Sequence, residues 1–200
     1  MKMEKLIFAT KNKGKIIEIK EIMKDLPFQI VSLDEAGIDI DIEENGATFE
    51  ENALIKAKTI MELTGSLVLA DDSGLEIDYL DGKPGIYSAR FGGVNTSYEI
   101  KNNKILDLLK GVPKEKRTAR FVCAIAAVYP TGDTITTYGT IEGIIAEKPS
   151  GNHGFGYDPI FYVPKYQCTT AEMSPEQKNA ISHRAKALQK IKEKLKKGIK

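Results

Sequence analysis

One stretch constrains this chain more than any other: the apolar run Leu67 to Ala70, followed at once by Asp71, Asp72, Ser73 and Gly74. Four consecutive apolar residues suffice for one buried strand. Two adjacent carboxylates then have to be accommodated, and in extended backbone neighbouring side chains point to opposite faces. The pattern predicts a strand that ends in its acids, with Ser73 and Gly74 turning the chain. Asp71 and Asp72 would then stand at a sheet edge, where α/β proteins form ligand crevices. The two aspartates are expected to do different jobs, one facing a metal or a water and the other held by backbone donors. Asp, Ser and Gly are also ordinary turn residues, so the stretch takes its meaning from the rest of the chain.

Two hundred residues with 42% hydrophobic content suit one globular domain, residues 1–200, with room for two lobes. A net charge of +1 supplies no global field that would point to nucleic acid or a membrane. Cys123 and Cys168 lie far apart with no CxxC, and read as free thiols in a reducing cytoplasm. The apolar run Leu6–Ala9 is too short for a signal peptide, and no segment approaches the length of a membrane span. His153 and His183 are too few for a histidine metal cluster, so any metal would be a hard cation on carboxylates, Mg²⁺ rather than Zn²⁺.

In chain order, Leu6–Ala9 reads as a first strand. Thr10, Lys11, Asn12, Lys13, Gly14 and Lys15 follow, and then a helix marked by Ile16, Ile19, Met23 and Leu26. A strand, a short loop and a lysine-rich helix start describe an anion site, since helix N-termini point N–H groups outward and favour negative charge. It is not a Walker A loop, and a solvated lysine-rich cap fits the segment alone equally well. After a strand near Gln29–Leu33 comes an acidic loop, Asp39–Asn45, containing Glu43 and Glu44. Thr48 and Glu51 form a capping box for a helix through Ala53, Ala57 and Ile60 that stops at Gly65. Asn52 and Lys56 share one face of that helix. Asp81-Gly82 and Pro84-Gly85 mark turns before a helix over Ser97–Lys110. Arg120–Tyr129 and Thr134–Ala146 form a long antiparallel hairpin.

The loop Lys148–Pro159 carries glycines that allow close approach of a ligand, and either Phe155 or Tyr157 offers a ring to a planar base. A second capping box, Ser174 with Gln177 and Pro175 at the first helical position, precedes Lys178, His183 and Arg184. The final run through Leu188, Ile191 and Leu195 is amphipathic, and its lysines after Lys186 read as a wet helix face. Four separated segments thus offer a phosphate cradle, two hard-metal acids in Glu44 and Asp72, an aromatic platform at Phe155 and cationic donors at Lys178, His183 and Arg184. A nucleoside triphosphate with Mg²⁺ needs all four.

These segments, FATKNKGK, GATFEENALIKAK, LADDSGLEIDYLDGKPGIYSARFGG, PSGNHGFGYDPIF and AEMSPEQKNAISHRAKAL, resemble the inosine-triphosphate pyrophosphatase family in the family's order and over nearly the whole chain. The resemblance implies an α/β fold with a mixed central sheet, flanking helices and two lobes around a nucleotide-binding cleft, assembled as a cytoplasmic homodimer. It implies hydrolysis of ITP, dITP and XTP to the monophosphate and pyrophosphate with Mg²⁺, with no role in binding nucleic acid or membranes. By the same resemblance, Thr10, Lys11, Asn12, Lys13, Gly14, Lys15 and Lys56 hold the phosphates. Glu44 and Asp72 match the metal-associated acids, and Asp72 the proton acceptor; Glu44 is preferred to Glu43 because it lies two residues before Gly46. Ser73, Phe155, Gly156, Tyr157, Asp158, Lys178, His183 and Arg184 match substrate-contacting positions. Base choice is expected from hydrogen bonding: a 6-oxo purine presents an acceptor where adenine presents a donor, and Lys178 and Arg184 only donate. Two other readings are a nucleotide sensor without turnover and a nucleic-acid binder using the tail Lys186–Lys200.

Overall fold

The computed structural model describes residues 4–198, so the last two residues of the lysine-rich tail lie outside the described residues. The strands are β1 (Glu4–Phe8), β2 (Phe28–Ser32), β3 (Leu67–Ile77), β4 (Thr118–Val128), β5 (Thr134–Ile145), β6 (Phe161–Val163) and β7 (Cys168–Thr169). They hydrogen-bond into one sheet in the order β2-β1-β3-β4-β5-β6-β7. β1 runs parallel to β2 and β3, whereas β6 is antiparallel to both β5 and β7. Parallel neighbours require crossovers, and α1 (Lys13–Ile22) and α2 (Phe49–Thr64) supply them. α3 (Tyr98–Leu108), α4 (Pro175–Ile181) and α5 (His183–Gly198) complete the flanking helices among the described residues. The fold is the expected mixed α/β sheet with flanking helices.

The chain divides into two compact units. The first runs through Asp72, returns for Cys123–Gly139, and takes the chain again from Arg184; the second comprises Ser73–Val122 and Thr140–His183. In the first unit the two-residue strand period sorts the core cleanly. Leu6 and Phe8 of β1, Leu67 and Leu69 of β3, and Cys123, Ile125 and Ala127 of β4 pack with Ile19 of α1 and Leu188, Ile191 and Leu195 of α5. The alternate residues, Ile7, Val68, Ala70, Ala126 and Val128, pack with Ala53, Ala57 and Ile60 of α2. The second unit has its own core of Leu75 and Ile77 from β3, Ile105 and Leu109 from the α3 region, and Phe121, Ile141 and Phe161 from β4 to β6. The Phe121 and Phe161 rings lie 4.3 Å apart there.

Two local expectations are corrected. β3 does not end in its aspartates: it continues through Asp71, Asp72, Ser73 and Gly74 to Ile77. The turn propensity of those residues yields to tertiary context, because both carboxylates find cationic or amide partners and Leu75 and Ile77 resume the apolar pattern. At α2, Thr48 caps as expected by accepting the Glu51 N–H, but the Glu51 carboxylate reaches back to the N–H of Ala47 at 2.6 Å rather than to that of Thr48. The capping box at α4 is complete, with Ser174 and Gln177 reciprocally bonded and Pro175 in the first turn. Cys123 and Cys168 are free thiols, and no helix among the described residues is long and apolar enough to cross a membrane.

Candidate active site

The first unit gathers the expected phosphate and acid residues. β1 pairs Phe8 with Leu69, and the Ala9 N–H bonds the Leu69 carbonyl at 2.7 Å, so the loop leaving β1 runs beside Ala70 to Asp72. Thr10 Oγ accepts the Asn12 N–H, and Asn12 caps α1 by accepting the Lys15 N–H. This compact turn leads into a helix start whose first N–H groups have no partner within the helix. Lys11 is ion-paired with Asp39 at 2.8 Å, Lys13 is exposed, and Lys15 reaches Asp71 at 2.9 Å.

Strand parity then separates the two aspartates. Asp71 shares the face of Leu67 and Leu69, under α1 and α5, and meets Lys15 of α1 and Arg184 of α5, the latter at 3.4 Å. Burial opposes the charge of Asp71, but Lys15 and Arg184 outweigh it and hold the carboxyl well below the usual carboxylate range. Arg184 also pairs with Glu18 of α1. Asp72 shares the face of Val68 and Ala70, under α2, and its Oδ2 accepts from Asn52 Nδ2 at 3.1 Å. Lys56 Nζ lies 3.9 Å from Asp72 Oδ1 and 3.2 Å from Glu44. Burial pushes the Asp72 carboxyl upward, with Glu44 adding to the rise, while Lys56 and Asn52 oppose it. The carboxyl therefore lies above its ordinary value.

Glu43 and Glu44 take opposite sides of their loop. Residues 38–46 have no regular secondary structure, yet their burial alternates: Ile38, Ile40, Ile42, Glu44 and Gly46 are half-buried, and Asp39, Asp41, Glu43 and Asn45 are exposed. The three isoleucines pack on the α2 side of the core, so Glu44 follows them inward to Lys56 while Glu43 faces outward.

Among the described residues, no three His, Cys, Asp or Glu side chains gather closely enough to hold a metal unaided. Glu44 and Asp72 nonetheless fit a hard divalent cation. Both are oxygen donors, both meet one cationic centre at Lys56 Nζ, and Mg²⁺ commonly takes one or two carboxylates with phosphate and water oxygens in its remaining positions.

The second unit builds the other expected set around Asp158, which is 2% exposed. Its Oδ2 accepts the Phe155 N–H and the Lys178 ammonium, both at 2.8 Å, and its Oδ1 accepts from Thr170 at 2.7 Å. That arrangement holds Lys178 Nζ 4.5 Å from the centre of the Phe155 ring. Gly154 has φ +76°, and a Cβ there would lie 2.2 Å from Asp158 Oδ2, so only glycine lets the loop close over this carboxylate. The His183 ring stacks on Phe121 at 4.9 Å. Ser73 is half-buried in β3.

The structure also distinguishes the two candidate rings. Phe155 is half-exposed beside Lys178, whereas Tyr157 is 3% exposed, donates its hydroxyl proton to the Ser88 carbonyl at 2.7 Å and meets Tyr98 edge-on at 5.3 Å. Tyr157 anchors the loop, and Gly156 is held through its carbonyl by Asn102 at 3.2 Å. Arg184 is 2% exposed, and its guanidinium engages Asp71 and Glu18. A buried guanidinium is stable only when paired, and the acids that pair it belong to the first unit. Sequence reasoning also missed the polar partners Glu18, Asn52, Asn102 and Thr170, which bond the expected residues Arg184, Asp72, Gly156 and Asp158. The available signal was a polar residue on an apolar helix face, as with Asn52 one residue before Ala53 on the buried side of α2.

Known proteins bear on this geometry. The profile of the Ham1 family matches residues 6–194. A protein of Clostridium perfringens named dITP/XTP pyrophosphatase is 52% identical over 200 residues, covering 97% of this chain and 98% of that one. One of the same name from Bacillus subtilis is 49% identical over 94% of this chain and 96% of its own. Among solved structures, the Staphylococcus aureus Ham1 protein superposes with a TM-score of 0.88 at 43% identity, covering 98% of this chain and 100% of that chain. With the profile spanning nearly all of the sequence and relatives at about half identity end to end, this chain is a member of the Ham1 family.

Proposed function

We propose that this protein hydrolyses the non-standard purine nucleoside triphosphates ITP, dITP and XTP to the nucleoside monophosphate and pyrophosphate. The observation that carries the reading is the convergence of Glu44 and Asp72 on Lys56, next in sequence to Asp71 and its partner Lys15 at the loop that caps α1. The curated relatives named dITP/XTP pyrophosphatase support the substrate class.

In this reading the capped start of α1, Lys13, Lys15 and Lys56 neutralise the triphosphate, which phosphoryl transfer needs more than covalent chemistry. Glu44 and Asp72 would hold Mg²⁺, which when bound supplies charge neutralisation at the phosphates. Water attacks the α-phosphorus, the bond to the β-phosphate oxygen breaks, and pyrophosphate leaves; Asp72 takes the proton of the water. Phe155 gives the base a stacking face, and Lys178 donates to O6 with ammonium protons beyond the one directed at Asp158. Adenine offers a donor at that position, so a buried donor would go unpaired.

Homodimeric assembly and a cytoplasmic location belong to the same reading, and sedimentation would test the first. A nucleic-acid role for the tail has less support, because Lys190 and Lys194 bond carbonyls of β5, and Lys192 and Lys196 pair with Asp25. One assay decides the chemistry: protein, Mg²⁺ and a panel of nucleoside triphosphates, with pyrophosphate and orthophosphate detected separately. ITP should give IMP and pyrophosphate in one step. Orthophosphate with IDP as product would overturn the reading.

A further inference from the structure

Asn52 is completely buried on α2, and both ends of its amide are used. Its Oδ1 accepts the Gly46 N–H at 2.8 Å, while its Nδ2 donates to Asp72 Oδ2 at 3.1 Å. A backbone N–H only donates and a carboxylate only accepts, so these two partners allow one orientation of the amide. A single side chain thereby ties the loop carrying Glu44 to the strand carrying Asp72. The loop side is tight as well: a Cβ at Gly46 would stand 2.8 Å from Asn52 Oδ1 and 2.7 Å from Glu51 Cβ.

We propose that Asn52 is a positioning residue that sets how the carboxylates of Glu44 and Asp72 face each other. It holds Asp72 through Oδ2, so that Oδ1, the oxygen nearer Lys56, addresses the reaction. This inference rests on the reading of Glu44 and Asp72 as the metal-holding, proton-accepting pair. Lys56 alone would not do this, because an ammonium between two acids is a point charge without a preferred direction. The amide adds direction, and it links the loop to the strand without adding charge.

A double-mutant cycle tests the idea with Asn52→Ala, Gly46→Ala and the two combined. Gly46→Ala changes no charge, and the atoms its Cβ would meet first are Glu51 Cβ, Asn52 Oδ1 and Asn52 N, so it pushes on the Asn52 amide and the adjacent start of α2. Three quantities are read: kcat and KM for ITP, Mn²⁺ binding measured by electron paramagnetic resonance without nucleotide, and the melting temperature. Each single variant should lower kcat and weaken Mn²⁺ binding by about 10–100-fold, the usual cost of losing a group that orients metal ligands. KM should move little, and the double variant should be no worse than the poorer single one, because both remove one linkage. Losses that multiply in the double variant, or a lower melting temperature with kcat and Mn²⁺ binding intact, would overturn the proposal. Should Asn52→Ala fail to fold, Gly46→Ala carries the test, and an unchanged kcat there refutes it. The parent reading fails separately, if the unmodified protein releases no pyrophosphate; the 46–52 coupling in Mn²⁺ binding remains measurable in that case.

Discussion

Exchanging the neighbouring aspartates for asparagine, one at a time, should separate stability from chemistry. Asp71 is 1% exposed and lies against Lys15 and Arg184. Removing one member of a buried ion pair costs about 3–5 kcal/mol, since the remaining charge stays buried without compensation. The lower end applies here: Arg184 keeps Glu18, and Lys15 retains partial access to water. For a chain of this size each kcal/mol moves the melting temperature by about 2–4 °C, so Asp71→Asn should melt about 6–12 °C early. Asp72 is the opposite case. Burial and Glu44 already press against its charge, and an asparagine there keeps an oxygen to accept from Asn52. Asp72→Asn should therefore melt within about 3 °C of the parent, while kcat falls by about 10²–10⁴-fold with loss of the proton acceptor. Melting curves, pyrophosphate release from ITP and calorimetric binding of a non-hydrolysable ITP analogue read these outcomes. Equal losses of kcat at the two positions, or a larger drop in melting temperature for Asp72→Asn, would refute the assignment of the two side chains to opposite faces with different tasks.

Phe155→Ala should weaken ITP and ATP alike, because stacking accepts any base; competition assays with both nucleotides measure this. Lys178→Met keeps an unbranched stem but no donor, and should erode the ITP-over-ATP ratio in kcat/KM, whereas Arg184→Ala should lower the melting temperature and leave that ratio unchanged. Tyr157→Phe removes the hydroxyl that bonds the Ser88 carbonyl and should cost about 1–2 kcal/mol in denaturant unfolding. Glu172 accepts from the Thr169 N–H and the Ser150 hydroxyl, which hold its folded pKa below the ordinary value. Its stabilising effect is thus present above about pH 4.3 and is lost as pH falls through the folded pKa, so Glu172→Gln should flatten part of the acid limb of a stability–pH curve.

Local patterns were legible wherever a short rule decides the outcome. Thr48 and Ser174 cap the helices they precede, and Gly65 closes α2 in the left-handed conformation. The opposite-face argument for Asp71 and Asp72 follows from backbone geometry alone, and the partners on each face bear it out. What failed depended on partners distant in sequence. Nothing local to Asp71-Asp72-Ser73-Gly74 says that lysines and an arginine from three helices will neutralise the acids, so the strand was expected to stop where it in fact continues. Arg184 shows the same thing: its neighbours Lys178 and His183 suggest a shared cluster, whereas Glu18 and Asp71, which its guanidinium engages, lie 166 and 113 residues away. The hydrogen bonds that Asn52 and Asn102 make were not legible, because a buried amide announces itself only through the groups it bridges.

The segment from Ile38 to Gly46 has a consequence for how this chain can change length. It forms no ladder with the sheet, so a loop of this kind would ordinarily tolerate insertions and deletions. Here the two-residue alternation decides which acid faces Lys56. Adding or removing one residue between Ile38 and Glu44 would rotate every later side chain to the other side, turning Glu44 outward and trading isoleucines for aspartates against α2. Changes in steps of two would keep the parity. The segment therefore behaves as a counting device: its outward side chains could be exchanged without turning Glu44 away from Lys56, whereas a one-residue change in its length could not be made without doing so.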